Sequence, residues 1–360
     1  MNPGRFSTLA EQVAQVLRDG LREGRWQGRI PGRMPLAAEL GVNHKTVSSA
    51  FRILEAEGIV VSRGAGKPRL LSGSLDSQPK PLRVSILLYE PEDQWRHLFV
   101  DLRHQLTEAG HVATFATKSL CELGMDASRV ARFVERTEAD AWIVTAGSRN
   151  ILLWFSQGPK PAFALFGRCG RIPMASAVPK KTLAFEVLID RLVKLGHRRI
   201  VMLAREERRI PEPGQLERHF LDLLAARGIP TSAYNLPNWG DRPGELQESI
   251  ASLFRHTPPT ALIIGDSVLF FAVMQHLAQL GFTAPQNLSL ACTDSDPNFE
   301  WCIPGIAHIS WDPRPVIRRV VTWAGKVSQG IEDREKSGPK ARFIDGGTIG
   351  QAPGAKRSMP

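Results

Sequence analysis

The chain has 360 residues, 42% hydrophobic and 23% charged, the balance of a globular protein with two or three domains rather than of a disordered one. Its 46 Lys and Arg against 36 Asp and Glu leave a net charge of +10, which points to a polyanionic partner, either nucleic acid or an anionic membrane face. The most apolar stretch, Ala261 to Met274, carries Asp266 and is too short to cross a bilayer; the start of the chain lacks the apolar core of a signal peptide; and Cys121, Cys169, Cys292 and Cys302 form no Cys-x-x-Cys pair, so no zinc site or disulfide framework is indicated and a cytoplasmic setting is expected.

In chain order, Leu9, Val13, Val16, Leu17 and Leu21 recur at helical spacing behind a Ser7 cap, and Gly24 lies near the helix end. Ile30-Pro31-Gly32-Arg33-Met34-Pro35 reads as a stiff turn. Pro35 opens the short helix Leu36 to Leu40, which Gly41 ends. Asn43 caps a third helix whose apolar stripe is Val47, Ala50, Phe51 and Leu54. His44, Lys45, Thr46, Ser48, Ser49 and Arg52 fall on its remaining faces. The strand Ile59 to Ser62, the basic turn Arg63-Gly64-Ala65-Gly66-Lys67 and the return Arg69 to Leu71 predict a two-stranded wing. Ser72 to Pro81 is small, polar and Pro-containing, and reads as a linker. The first 80 residues hold 12 Lys and Arg against 7 Asp and Glu, a net +5; the remaining 280 residues carry the other +5. Half the charge excess thus lies in under a quarter of the chain.

Residues 7–71 resemble the DNA-binding domain of the GntR family of bacterial regulators. The matching pieces are Met34-Pro35-Leu36, Val42-Asn43-His44-Lys45-Thr46-Val47, Glu57-Gly58 and Gly64-Ala65-Gly66, in that order and spacing. The resemblance implies a winged helix-turn-helix that docks its third helix in the major groove. His44, Lys45, Thr46 and Ser48 are then placed at base edges, and Lys45, Arg52, Arg63, Gly66 and Lys67 near phosphates. Ala38 and His44 stand where the family often has Arg, so the operator sequence does not carry over.

From Arg83 onward strands and helices alternate. The predicted strands are Val84 to Leu88, His111 to Ala116, Ala141 to Val144, Ala162 to Phe166, Ile200 to Leu203, Ala261 to Ile264 and Leu288 to Ala291. Helices are predicted around Leu98 to Ala109, Val130 to Val134, Thr182 to Leu195, Gln215 to Arg227, Glu245 to Phe254 and Val268 to Leu280. The fold class is therefore α/β, a two-lobed, doubly wound parallel-sheet domain behind the small winged domain. Leu195-Gly196-His197-Arg198-Arg199-Ile200, Thr260 to Asp266, Leu280-Gly281-Phe282 with Pro285 to Leu290, and Asp294 resemble the effector domain of the LacI/GalR family, which has the type I periplasmic-binding-protein fold. This sets expected limits: the winged domain over 1–71, a linker over 72–81, the effector domain over 82–350 and a tail over 351–360. Lobe one is expected over 82–168 and 310–330, and lobe two over 169–309 and 331–350.

Ligands of open α/β sheets bind beyond the C-terminal strand ends, here Tyr89 to Trp95, Ala146 to Arg149, Gly167-Arg168, Arg205, Asp266 and Asp294, with Trp311 at a lobe crossover. Carboxylates accept from ligand hydroxyls, and an indole offers a flat face to a sugar ring. The candidate effector contacts are Tyr89, Trp95, Arg168, Arg218, Asp266, Asp294 and Trp311. The sugar-binding Arg of the resembled family falls on Leu216, with Arg218 nearby on a different helical phase, and Lys180 stands where Asp is common. The expected function is a transcriptional regulator, a repressor that binds operator DNA as a homodimer and is switched by a small, sugar-like effector, with no cofactor. Two alternatives stay open: a DNA-binding protein with a vestigial sensor, and an enzyme with a DNA-binding head. No nucleophile elbow, Walker loop or His-Glu-x-x-His motif supports the enzyme.

Overall fold

The computed structural model describes residues 8–22, 25–26, 30–57, 59–61, 70–71, 80–240 and 242–354. The chain forms two compact units, Met1–Lys80 and Pro81–Pro360.

In the first unit, α1 (Leu9–Arg22) and α2 (Arg33–Leu40) both pack on α3 (His44–Ala56). Thr8, one residue after the expected cap, starts α1: Glu11 Oε2 accepts from Thr8 N at 2.7 Å while Thr8 Oγ1 accepts from Glu11 N at 3.3 Å, a reciprocal capping box. The buried stripe of α1 is narrower than its periodicity suggests. Val13, Ala14, Leu17 and Leu21 are buried, whereas Leu9 and Val16 stay 55% and 46% exposed because only one side of the helix meets α3. Helix α2 begins at Arg33, two residues before the expected start; Pro35 still lies in the first turn, where no N–H is needed. Gly41 closes α2 with φ 63° and its N–H on Ala37 O, a left-handed cap that favours glycine. Asn43 caps α3, its side chain accepting from Lys45 N at 2.9 Å. Val47, Ala50, Phe51 and Leu54 are fully buried, and Arg18 of α1 clamps Glu57 at the end of α3 through two 2.8 Å bonds. The short strands β1 (Val60–Val61) and β2 (Leu70–Leu71) pair antiparallel. Ser7, Gly24, Gly58 and the turn with Arg63, Gly66 and Lys67 lie outside the described residues.

The second unit contains two sheets. In the first lie β3 (Arg83–Leu87), β4 (Val112–Phe115), β5 (Ala141–Thr145), β6 (Ala162–Leu165) and β7 (Ala175–Ala177). The helices between them are α4 (His97–Glu108), α5 (Ala127–Glu135) and α6 (Arg149–Gln157). In the second lie β8 (Ile200–Leu203), β9 (Ala261–Ile264), β10 (Ser289–Cys292) and β11 (Ala307–Ser310). Its helices are α7 (Thr182–Lys194), the single turn α8 (Glu206–Arg209), α9 (Gln215–Ala226), α10 (Pro243–His256) and α11 (Ser267–Gln279). Then α12 (Arg314–Ser328) and β12 (Lys336–Ser337) return to the first lobe, and β13 (Arg342–Ile344) closes the second.

The first sheet is parallel throughout, in the order β12-β7-β6-β5-β3-β4. The second runs β13-β11-β10-β9-β8 and is parallel except for its antiparallel edge β13. Strands buried on both faces need apolar residues at every position, as in Ala141-Trp142-Ile143-Val144. Ile143 faces α4 and α12, while Trp142 and Val144 face α5 and α6. In the second sheet Met202 and Ile263 face α7 and α9, and Val201 and Leu262 face α10 and α11.

The lobe limits differ from the expected ones. Strands β7 and β12 both belong to the first sheet, so lobe one extends past 168 to 177 and regains the chain as far as 337. The chain passes between lobes at 178–181, 311–313 and 338–341. The membership of a three-residue and a two-residue strand is fixed by pairing with distant partners, which no local pattern encodes. The signature residue His197 proves to be a structural tie: it is fully buried, with Nε2 at 3.0 Å from Gly350 O and 2.9 Å from Ser289 Oγ, so it pins the end of the fold to β10. Burial lowers its pKa. No helix among the described residues is long and apolar enough to cross a membrane.

Candidate functional site

The first unit presents the polar face of α3. His44, Lys45 and Arg52 are exposed, and Thr46 and Ser48 half-buried. The Asn43 cap satisfies Lys45 N, so this first turn is held helical before any partner arrives. Ser48 Oγ donates to His44 O at 3.0 Å, which leaves its oxygen free to accept but commits its proton. Among the described residues, Arg52 Nη2 donates to Ser49 Oγ, at 3.5 Å. The apolar stripe on the opposite side fixes which side chains face outward.

The second unit places its candidate residues at the C-terminal ends of both sheets, where the lobes face each other. Asp294 follows β10 and Trp311 follows β11. Trp311 Nε1 donates to Asp294 Oδ1 at 3.0 Å, and Lys181 Nζ, on another interlobe passage, lies 3.4 Å from the same oxygen. Phe166 stands edge-on to Trp311, with ring centroids 5.7 Å apart. The backbone that delivers Phe166 is unusual. Phe166 and Ala146 adopt φ of 67° and 48°, and a Cβ on Gly167 (φ 74°) would come within 2.6 Å of Gly147 O. The ends of β5 and β6 are thus stitched together, with Arg168 N donating to Gly147 O at 3.1 Å, and Arg168 is aimed toward lobe two.

Four further bonds cross between lobes. Tyr89 Oη lies 2.9 Å from Glu207 Oε2. Arg168 donates from Nε to Glu207 O at 2.9 Å and from Nη2 to Glu212 O at 2.7 Å. Arg205 Nη1 meets Glu90 Oε1 at 2.5 Å, while its Nε holds Asp266 Oδ2 at 3.0 Å and its guanidinium lies over the Tyr89 ring. Asp266 also caps α11 by accepting from Leu269 N at 2.9 Å. Burial opposes the charge of Arg205, but Asp266 and Glu90 raise its pKa above the ordinary value. Burial likewise raises Glu90, against the pull of Arg205, and it raises Asp93 beside it.

Tyr89, Arg168, Asp266, Asp294 and Trp311 therefore share one cleft. Two other candidates stand apart from these contacts. Trp95 is 77% exposed at the end of a 3-10 turn. Arg218 pairs with Glu212 at 3.4 Å on an exposed face of α9. Leu216, at the position where the resembled family has Arg, packs against the core of lobe two. Sequence reasoning missed Lys181, Glu207 and Arg208, and it covered Glu90 only within the span Tyr89 to Trp95, without singling it out. The run Arg205-Glu206-Glu207-Arg208-Arg209 looks like a solvated charged turn, yet it begins two residues after a buried strand, Ile200–Leu203, which is where cleft residues belong.

The model of the gntR family of bacterial regulatory proteins matches residues 9–66, and that of a periplasmic binding protein-like domain matches residues 189–348. No curated protein matches the chain. Among solved structures, the chain is similar to the Escherichia coli transcriptional repressor ascG: 15% identity, TM-score 0.56, covering 74% of this chain and 98% of that one. It is also similar to a LacI family transcriptional regulator from Enterococcus faecium with bound ribose, at 14% identity and TM-score 0.58, covering 74% and 98%. The lac repressor dimer bound to operator and the anti-inducer ONPF gives 14% identity and TM-score 0.59, covering 75% and 95%. The second unit shares the fold of these structures, and residues 189–348 within it match a periplasmic binding protein-like domain. This chain thus joins a segment that matches the gntR-family model, in its first unit, to a periplasmic-binding-protein-like domain in its second.

Proposed function

We propose that this regulator is a cytoplasmic repressor rather than an enzyme, that it reads operator DNA as a homodimer, and that a small molecule in the interlobe cleft switches it. The observation that carries this reading is the convergence of Asp294, Trp311, Lys181 and Arg168 where two parallel sheets present their C-terminal ends. The indole and Phe166 supply an apolar wall, and the carboxylate supplies an acceptor for hydroxyls. On the DNA side, α3 brings His44, Lys45, Thr46 and Ser48 to the groove, with Arg52, Arg63, Gly66 and Lys67 toward phosphates. A single winged head covers too few base pairs for a specific site, hence the dimer. An effector switches the protein only as far as it binds one lobe arrangement better than the other.

A second reading is a constitutive DNA-binding protein whose sensor is locked. The bonds from Tyr89, Glu90 and Arg168 across the cleft favour it, because they tie the lobes directly to each other. DNA binding by either form is tested by Lys45→Ala combined with Arg52→Ala, assayed on DNA selected from a random pool by the wild-type protein. If both cations neutralise phosphates, the slope of log affinity against log salt becomes shallower by about two. An unchanged slope removes α3 as the reading face.

A further inference from the structure

Three guanidinium groups lie around Glu207, Glu212 and Glu217 of lobe two: Arg168, reaching over from lobe one, Arg208, and Arg218 on the exposed face of α9. Arg168 spends Nε and Nη2 on the carbonyl oxygens of Glu207 and Glu212, acceptors that carry no full negative charge. Arg208 binds Glu217 Oε1 through Nε at 2.8 Å; that carboxylate is 1% exposed, whereas the Arg208 side chain keeps 46% of its surface open. Arg218 meets Glu212 more loosely, at 3.4 Å, and both are exposed. Burial lowers the pKa of Arg168, and repulsion from Arg208 and Arg218 adds to this against the attraction of Glu217 and Glu212. Arginine does not shed its proton in proteins, so the unfavourable charge remains. Burial opposes the charge of Arg208, but Glu217, and with it Glu207 and Asp294, raise its pKa above the ordinary value.

Arg208 pairs with Glu217 and Arg218 with Glu212, so Arg168, bonded to carbonyl oxygens among the described residues, is the guanidinium that an anionic group would match and a neutral hydroxyl would not. Planar guanidinium forks bind carboxylate and phosphate oxygens in pairs, and they do so most strongly where water is partly excluded. Arg208 is anchored from behind by a buried carboxylate and open in front, so its Nη1 and Nη2 remain to be engaged. We propose that the cleft receives the anionic group of a sugar acid or sugar phosphate at Arg168 and Arg208, with the sugar hydroxyls on Asp294 and the ring against Trp311. This rests on the reading of the cleft as the effector site and names the class of effector. Arg208 is in this account the residue that sets specificity for charge.

The test is thermal shift and calorimetric titration of the full chain. The anionic probes are D-gluconate, D-glucuronate, D-galacturonate, D-glucose 6-phosphate and D-ribose 5-phosphate. Their neutral parents glucose, galactose and ribose run beside them, with inorganic phosphate and sulfate as ionic controls. At least one anionic sugar is expected to raise Tm, and the neutral parents and inorganic ions are not. The carboxylate and phosphate arms tell the two anions apart. Arg208→Gln is expected to lower the ligand-free Tm, because the buried Glu217 loses its partner, and, measured by calorimetry below that Tm, to weaken the responding ligand at least tenfold; Arg208→Lys is expected to restore part of the affinity and Arg218→Gln to change it less than threefold. Stabilisation by a neutral parent that Asp294→Asn abolishes would overturn the anionic class while leaving the effector reading standing. Full binding by Arg208→Gln overturns the role of Arg208, and silence across the whole panel overturns both the anionic class and the sensor reading.

Discussion

Phe51→Ala is expected to abolish DNA binding outright while the sensor domain melts as before. Phe51 is fully buried at the centre of a small core made by Val13, Leu17, Leu36, Val47 and Leu54. Removing a buried Phe side chain costs about 3–5 kcal/mol, through lost transfer energy and the cavity left behind. A domain of this size holds only about 4–10 kcal/mol in total. The substitution therefore removes most of what keeps α3 in place, although it touches no residue of the polar face. Since residues 1–80 and 81–360 form separate compact units, circular dichroism should show a new low-temperature transition, with the sensor transition in place. Retention of tight, specific DNA binding would contradict the assignment of this core to the reading head.

Asp333→Ala is expected to be the most damaging single change in the sensor. Asp333 lies between α12 and β12, with its side chain 1% exposed. It holds Arg319 Nη2 at 2.7 Å and Lys326 Nζ at 3.0 Å, both on α12, and accepts from Glu335 N at 2.9 Å. It thereby ties the helix that returns to lobe one to the strand that precedes the last interlobe passage. Deleting it leaves Arg319, 8% exposed, as a buried cation without its carboxylate, a loss of about 3–5 kcal/mol. At about 2–4 °C per kcal/mol in a domain of this order, Tm falls by roughly 10 °C. The pH dependence has a definite sign. Burial opposes ionisation of Asp333, but the Glu335 N–H, Lys326 and Arg319 outweigh it and hold the carboxyl below its ordinary range. An acid with a depressed folded pKa contributes its stability above its unfolded pKa, about 3.9, and loses it as pH falls through the lower folded value. The Tm gap between wild type and Asp333→Asn is therefore expected to be full at pH 7 and to shrink below about pH 4. A gap that persists undiminished at pH 2.5 would show that packing, not charge, carries the effect.

Much of this fold is legible locally. The apolar stripe of α3, the Asn43 cap and the strands of alternating α and β segments are written in neighbouring residues, and the parallel sheets follow from them. Other elements are not. Helix α6 is short and was hidden because Ile151, Leu152 and Phe155 sit between Ser148 and Gly158 without a long repeat. Helix α12 carries a readable stripe in Val316, Ile317, Val320 and Trp323, and it packs on α4 of lobe one, the lobe expected for 310–330. Strands β7, β12 and β13 have only two or three residues each, and the antiparallel edge and the lobe limits depend on them. The cleft divides in the same way. Asp266, Asp294 and Trp311 are marked by their place after a strand, a rule of position. Their partners are not: Glu90 lies 115 residues from Arg205, and Glu207 lies 118 from Tyr89. Charged residues in exposed-looking turns become cleft residues only when the two sheets bring their ends together.

Occupancy of the proposed sensor is expected to change the grip of the head on DNA. The direct measurement is fluorescence anisotropy on DNA selected by the wild-type protein, at fixed salt, with and without a compound that raises the sensor Tm. Coupling free energies of about 1–3 kcal/mol correspond to a change in affinity of roughly 5- to 150-fold, and a weakening in that range is expected on effector binding. Asp294→Asn should bind the same DNA as tightly as wild type and lose the response. An affinity that stays constant across saturating effector would contradict the account, leaving a DNA-binding head joined to a sensor that does not speak to it.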